Sequence, residues 1–352
     1  METILTQYRD YLRKRILFLG IIFMLLLVFI FFGITLGSSR IPFQDLLGTF
    51  FGKPNELYSR IIWSIRIPRV LAAVMAGAAL AVSGAAMQSI LKNPLGSPFT
   101  LGISQSAAFG AAFAIIFLGA GTLQSSSSDS VILNNPYLVS GCAFLGSLAA
   151  TAVILLMARY RGATPETMVL TGIVVGSLFS AATTALEYFA SDVQLASVVF
   201  WTFGDLGRAS WRDFLILAAV TIIVVIYFIW NSWNYNALDA GDETAKSLGV
   251  NADLARIGGM VVASLATALV VSFFGIIGFV GLAAPHIVRR IIGSDERFLI
   301  IASAIFGGLF LLVADTAART IIAPVVLPVG ILTSFFGGPL FLYLLMKGLR
   351  RR

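Results

Sequence analysis

Residues 66–91 read RIPRVLAAVMAGAALAVSGAAMQSIL, two arginines about a proline followed by a run that carries no formal charge. At a helical rise of about 1.5 Å per residue, the run from Val70 to Leu91 can cross the roughly 30 Å hydrocarbon core of a bilayer. Gly77 and Gly84 lie within it, and small residues let helices approach closely where lipid supplies no hydrophobic drive for association. The stretch reads as a membrane helix packed against others.

Runs of the same kind recur along the chain at about 16–36, 70–91, 99–120, 136–158, 168–190, 212–232, 253–274, 276–292, 298–322 and 326–347. The expected fold class is an all-α integral membrane protein of about ten transmembrane helices. Composition agrees, since 58% hydrophobic and 12% charged residues cannot clothe a water-soluble surface even over 352 residues. The first run follows Arg13, Lys14 and Arg15 as a signal peptide would, but it is too long for that role and lacks a cleavage site, so it is expected to stay as a helix. The connections 37–65, 121–135, 191–211 and 233–252 are each too short to bury a core of their own, which makes 1–352 a single membrane domain. Within them, QSSSSDS at 124–130 reads as a tolerated flexible tip.

A net charge of +7 raises nucleic acid as a partner, but basic residues of a membrane chain are first of all topological signals. With the N-terminus inside, 16 of the Lys and Arg residues fall on cytoplasmic segments and 8 on outer ones, so both termini are expected in the cytoplasm. The lone Cys142 excludes an intrachain disulfide and a cysteine-based metal cluster.

Two stretches interrupt the spans, Asn93-Pro94-Leu95-Gly96-Ser97-Pro98 leading to Gly102, and Ala283-Ala284-Pro285-His286. Backbone groups freed at membrane depth need partners in protein or along a water-lined path, so these breaks point to a transport pathway. His286 stands without Cys, Asp or Glu at helical spacing, which leaves a structural or a pathway role and no local metal site. No phosphate-cradling GxxxxGK[ST] loop is present; Gly48-Thr-Phe-Phe-Gly52-Lys53-Pro54 has the wrong spacing, so the chain has no such route to ATP hydrolysis. Carriers driven by ion gradients place carboxylates at the midplane, whereas the candidates here are Glu187 near a span end and Asp315 with Arg319 at i+4.

In the cytoplasmic connection 233–252, Asp239, Asp242, Glu243, Lys246 and Ser247 alternate with Ala240, Ala245, Leu248 and Val250. That pattern makes a short amphipathic helix with an apolar stripe and no lipid to hide it in, so it docks either on the chain's own inner surface or on a partner.

Several ordered motifs together resemble the FecCD/BtuC-type permeases of ATP-binding cassette importers. They are Arg66-Ile-Pro-Arg69 with Gly77 to Gly84, Asn93-Pro94-Leu95 with Leu101-Gly102-Ile103-Ser104, Trp201-Thr-Phe-Gly204 with Trp211, Gly278-Phe-Val-Gly281 with Pro285-His286, and Ala314-Asp315 with Ala318-Arg319 and Leu327-Pro-Val-Gly330. Glu243-Thr-Ala245-Lys-Ser-Leu248-Gly249, followed by Val250, is similar to the family's EAA-like element that seats in an ATPase, with Thr244 as a mild departure. The resemblance implies a BtuC-like type II importer fold and a permease without enzymatic activity or bound cofactor. It implies a second permease subunit, identical or homologous, two ATPase subunits that bind ATP, and an extracytoplasmic binding protein docked on Arg66, Arg69 and Arg319. It places the chain in a bacterial cytoplasmic (inner) membrane and makes an iron–siderophore, haem or corrinoid-type chelate the cargo. The alternative reading, an ion-driven secondary transporter, is disfavoured by the missing midplane carboxylates and the EAA-like loop.

Overall fold

The computed structural model describes residues 2–37, 41–42, 45, 48–49, 52, 55–120 and 135–349; the QSSSSDS tip lies outside them. Side-chain caps fix many of the helix starts. Asn135, Thr164, Ser210, Asn251 and Asp295 accept the backbone N–H of Leu138, Thr167, Asp213, Leu254 and Arg297, partners that the first turn of a helix cannot supply for itself. Pro136 and Pro165 follow two of these caps, where a missing N–H costs nothing.

The helices so defined are α1 (Glu2–Thr35), α2 (Glu56–Ile61), α3 (Ile67–Ile90), α4 (Ile103–Ile116), α5 (Pro136–Arg161), α6 (Pro165–Tyr188), α7 (Asp192–Thr202), α8 (Trp211–Trp230), α9 (Ser232–Asp239), α10 (Asp242–Ser247), α11 (Ala252–Phe274), α12 (Val280–Ile292), α13 (Glu296–Thr320) and α14 (Val329–Leu349). Among the described residues, seven segments are long and apolar enough to span a membrane: Tyr11–Thr35, Glu56–Ile90, α5, α6, α8, α11 and α13. The shorter α4, the apolar part Val329–Tyr343 of α14 and the half-length α12 occupy the three remaining expected runs.

Four expected boundaries move, each for a local reason. The connection 37–65 ends in helix: α2 passes through a π turn at Ile62–Arg66 straight into α3, and the wide turn absorbs the N–H that Pro68 lacks. The connection 191–211 contains α7, started by a reciprocal cap between Ser191 and Gln194. The run at 99–120 gives a helix only from Ile103, because Gly102 adopts φ +77. In the run at 276–292 the break falls earlier than Ala283-Ala284-Pro285-His286. Gly275 at φ +75 and Phe279 at φ +63 end one helix and start the next, and Pro285 and His286 lie inside α12.

The centre of the bundle is α3, in which all residues but Leu71, Val74 and Met75 are buried. Around it stand α8, α11, α12 and α13. To one side, α4 packs against α5 and α6, while α1 lies along α13. Two glycine contacts bind α3 to its neighbours: a Cβ on Gly77 would fall inside the Gly307 carbonyl of α13, and one on Gly84 inside the Gly281 carbonyl of α12. The second contact has a cause in sequence. Pro285 has no N–H to give the carbonyl four residues earlier, and that freed Gly281 carbonyl is the one lying against Gly84.

The backbone contact at Gly84 predicts that Gly84→Ala destabilises the detergent-solubilised protein by at least about 2 kcal/mol, because the obstruction is main chain and cannot rotate away. Gly141→Ala, on α5, has open space for its methyl and is expected to be neutral or to stabilise by up to about 1 kcal/mol. Thermal unfolding of the two variants side by side checks the pair, and equal melting temperatures would contradict it.

Candidate functional site

Three polar arrangements run through the bundle from one end to the other, the two ends being called outer and inner after the topology expected from the sequence. At the outer end, the π turn and the first turn of α3 carry Arg66 and Arg69. Arg69 grips Asp315 of α13 with Nε at 2.9 Å and Nη2 at 2.8 Å from Oδ1, and its Nη2 lies 3.7 Å from Asp205. Arg319 brings Nε to 3.0 Å from the other oxygen of Asp315, completing the expected i, i+4 pair and adding a third member to it. The carboxyl group of Asp315 is fully buried. Arg319 also donates to the carbonyls of Gly33 and Leu36, and Arg66 to those of Ile34 and Thr35. These four carbonyls end α1, where no further helical N–H is available, so the two guanidiniums cap a helix and sit at the negative end of its dipole. The three arginines that the family resemblance places at the docking surface are thus 4%, 7% and 4% exposed and committed to internal partners.

Next to this cluster, three irregular segments meet: the residues after α7, the link Gly275–Phe279 and the start of α14. Their backbones satisfy one another, the Asp205 N–H donating to Phe274 at 2.8 Å and the Gly330 N–H to Gly204 at 3.3 Å. Gly204 at φ +71, Gly275 and Gly330 sit so close to neighbouring carbonyls that no side chain fits at any of them. His286 lies edge-on to Phe341 with ring centroids 5.7 Å apart, and its Nε2 is buried without a protein partner.

Beside this junction, α4 and α6 bound an open groove of about 740 Å³. Gly102 enters it against Gly172 and Gly176, an approach that leaves no room for a Cβ. The loop before it turns at Asn93, whose side chain accepts the Leu95 N–H at 2.9 Å, with Pro94 between them. The wall of the groove includes Gln105, Ser177, Ser180 and Thr184, the last three exposed. Ser177 and Thr184 answer their own hydroxyls by donating to the carbonyl four residues back, but the amide oxygen of Gln105 has no partner. A stripe of hydroxyl groups ending on an unsatisfied amide fits water or a polar solute better than lipid tails.

At the inner end, α9 and α10 lie across the bundle. Of the expected coupling residues, Ala245 is fully buried and anchors α10, Glu243 and Leu248 are exposed, Gly249 has φ +80, and half-buried Val250 donates its N–H to Ala245. Asn236 of α9 accepts the Glu296 N–H at 2.9 Å and donates to Asp295 at 3.2 Å, holding the start of α13. Burial works against the charge on Asp295, yet bonds from Arg297, Asn236 and Arg15 outweigh it and hold that carboxyl below the usual carboxylate range. Asp242, the first residue of α10, meets Arg256 of α11 and Lys92 just past α3, each at 2.6 Å. Bonds from Arg256 and Lys92 hold its carboxyl at about 2, so the pairing stabilises above the ordinary carboxylate value and is lost only as pH falls through about 2.

Sequence reasoning treated Lys92 and Arg256 as inner positive charges and Asp242 as one polar position in a pattern. Their convergence depends on the left-handed turn at Lys92, φ +47, which no local signal announces.

The chain matches the FecCD transport family over residues 25–347. It is 53% identical to a Methanocaldococcus jannaschii protein described as an ABC transporter permease, with 98% of each chain covered. It is 35% identical to the hemin transport system permease HmuU of Yersinia pestis, with coverage of 96% and 97%. It is 34% identical to the vitamin B12 import system permease BtuC of Shigella boydii, over 98% of this chain and all of the other. Among solved structures it resembles a metal-chelate type ABC transporter in an inward-facing conformation, with a TM-score of 0.80, 28% identity and coverage of 94% and 98%. A multi-pass bundle with mutually satisfied breaks and a tethered amphipathic helix on its inner end is what such a permease needs, and the chain belongs to the FecCD transport family, the membrane permeases of ABC importers whose ATP is hydrolysed on separate ATPase subunits.

Proposed function

We propose that this permease carries a metal chelate of the iron–siderophore, haem or corrinoid type inward across the cytoplasmic membrane, with both termini in the cytoplasm. The observation that carries the reading is α10. One small side chain, Ala245, seats it on the bundle, while Glu243, Lys246, Ser247 and Leu248 remain exposed, Leu248 at 67%. An exposed leucine on a short helix held by ionic tethers is an anchor for another protein, here an ATPase subunit. The groove between α4 and α6 faces a second permease subunit, so that the stripe at Ser177, Ser180 and Thr184 lines a shared path. Hydroxyls and one amide contact a bulky chelate without gripping it, which favours release on the inner side.

A binding protein delivers the cargo to the outer face. For Arg66, Arg69 and Arg319 the geometry supports holding the outer ends of α1, α3 and α13 together, since a docking carboxylate would first have to displace Asp315 or the α1 carbonyls. Import of haemin, cyanocobalamin and ferric citrate into proteoliposomes holding the permease and its ATPase subunits tests the whole reading. Vanadate-sensitive uptake of at least one is expected, and uptake driven by an ion gradient without ATP would replace it with a secondary transporter.

Two variants separate the inner role from the outer one. Gly249→Trp places a bulky residue at φ +80, where space is open, and is expected to lower copurification of the ATPase by about tenfold or more while membrane insertion persists. Intact copurification would move the ATPase seat away from α10. At the outer end, Asp315→Leu leaves two guanidiniums facing a vanished charge and is expected to cost about 3 kcal/mol or more. Adding Arg69→Met should recover part of that loss, and a folded yield in detergent that shows simple additivity would count against the cluster.

A further inference from the structure

The inner ionic contacts form one connected device. Asp242 opens α10, and its Oδ1 alone receives both cations, Lys92 Nζ from the end of α3 and Arg256 Nη2 from the first turns of α11. Arg256 is 2% exposed, and its Nη1 donates to the Ala163 carbonyl in the link between α5 and α6. Lys92 reaches Asp242 from a left-handed backbone, a conformation that residues other than glycine rarely adopt, so the cation is presented at some local strain. A second tie runs in parallel through Asn236 to Asp295 and the N–H of Glu296. Asp295 in turn bonds Arg15 of α1 at 2.9 Å. The α9–α10 segment therefore bonds to α11 and to the ends of α3 and α13, and reaches α1 only through Asp295 and Arg15.

Only one of these ties lies on α10 itself. Ala245 contributes a small apolar contact, and Glu243, Thr244, Lys246 and Ser247 point outward. A push applied to the exposed face of α10 reaches the rest of the bundle most directly where α10 is bonded to it. Its first residue is that place, and it connects to α3, the rod that runs through the centre to the Arg69–Asp315 cluster.

We propose that Asp242 is the positioning residue through which movement of α10 is transmitted to α3 and α11, with Lys92 and Arg256 as its two receivers. The inference rests on α10 being the ATPase seat and names the bond by which that seat drives transport. Asp242 does not contact the cargo and does not need to contact the ATPase. Its carboxylate fixes the angle of α10 and shares one oxygen between two helices, so that both follow it together. Glutamate would keep the charge on a longer stem, and asparagine would keep the shape while losing the charge that holds both cations.

The test has two arms, the first of which needs no partner. In permease alone in lipid nanodiscs, amide hydrogen exchange across 243–250 is expected to quicken by about tenfold in Asp242→Asn. Lys92→Gly keeps the left-handed turn without strain and leaves Arg256 in place, so it should quicken exchange by a smaller factor. Exchange in Asp242→Asn equal to that of the unmodified chain overturns the clamp. The second arm uses the permease with its ATPase subunits in proteoliposomes, loaded with whichever of haemin, cyanocobalamin and ferric citrate is carried fastest. Cargo moved per ATP hydrolysed is expected to fall by about fivefold or more in Asp242→Asn and to be partly regained in Asp242→Glu. An unchanged ratio in Asp242→Asn overturns the transmission role even where exchange has quickened. Failure of the ATPase to copurify with the unmodified chain defeats the proposed function instead, and the exchange arm then still decides whether Asp242 clamps α10.

Discussion

The contact of main chain with main chain along α3 is the constraint on which the rest of the protein depends. In lipid, no water stands ready to satisfy a backbone group that leaves its helix, and apolar side chains gain nothing by leaving the tails for one another. Close packing must supply the association, and it does so where Gly77 meets Gly307 and Gly84 meets Gly281. These contacts bring α12 and α13 against α3 closely enough that the interrupted segments beside them can exchange hydrogen bonds, Asp205 with Phe274 and Gly330 with Gly204. The same closeness turns Pro285 from a defect into a component, since the carbonyl it frees is occupied by the approach of Gly84.

How far the sequence was legible follows from which physics is local. Hydropathy is local, so the ten apolar runs and the all-helical class could be read directly. The inner amphipathic segment was legible for the same reason, although its stripe divides in a way the pattern does not show, Ala245 being buried and Leu248 exposed. Backbone handedness was not. Phe279 and Lys92 adopt positive φ because tertiary contacts hold them there, so the break before α12 was placed several residues late and the cation delivered to Asp242 went unnoticed.

The outer arginines show the complementary lesson. Motif resemblance marked Arg66, Arg69 and Arg319 as important, and the pairing of Asp315 with Arg319 followed from helical spacing. What neither could reveal is that two guanidiniums, Arg69 and Arg319, share one buried carboxylate while the carbonyl end of α1 takes Arg66 and the remaining donors of Arg319. A helix terminus behaves as a partial negative charge, and here it takes the place that further acidic residues would fill. The first helix is thereby held to the bundle at its outer end by polar bonds to Arg66 and Arg319, while much of its length shows apolar side chains to lipid.

The two ionic clusters at the ends of α3 differ in the way their tasks require. At the outer end Asp315 is fully buried and Arg69 nearly so, and breaking such a pair costs about 3 to 5 kcal/mol, so this end behaves as a fixed joint. At the inner end Asp242 is 42% exposed and Lys92 34%, where water and salt reduce an ion pair to about 1 kcal/mol or less. Only Arg256 in that cluster is buried, which keeps the contact in place without making it irreversible. A transporter that alternates between two states needs contacts it can exchange at about thermal cost where force arrives, and contacts it cannot exchange where the bundle must stay whole. Joined through α3, an exposed, exchangeable contact at one end and a buried, fixed one at the other give that helix one end that can move and one that holds.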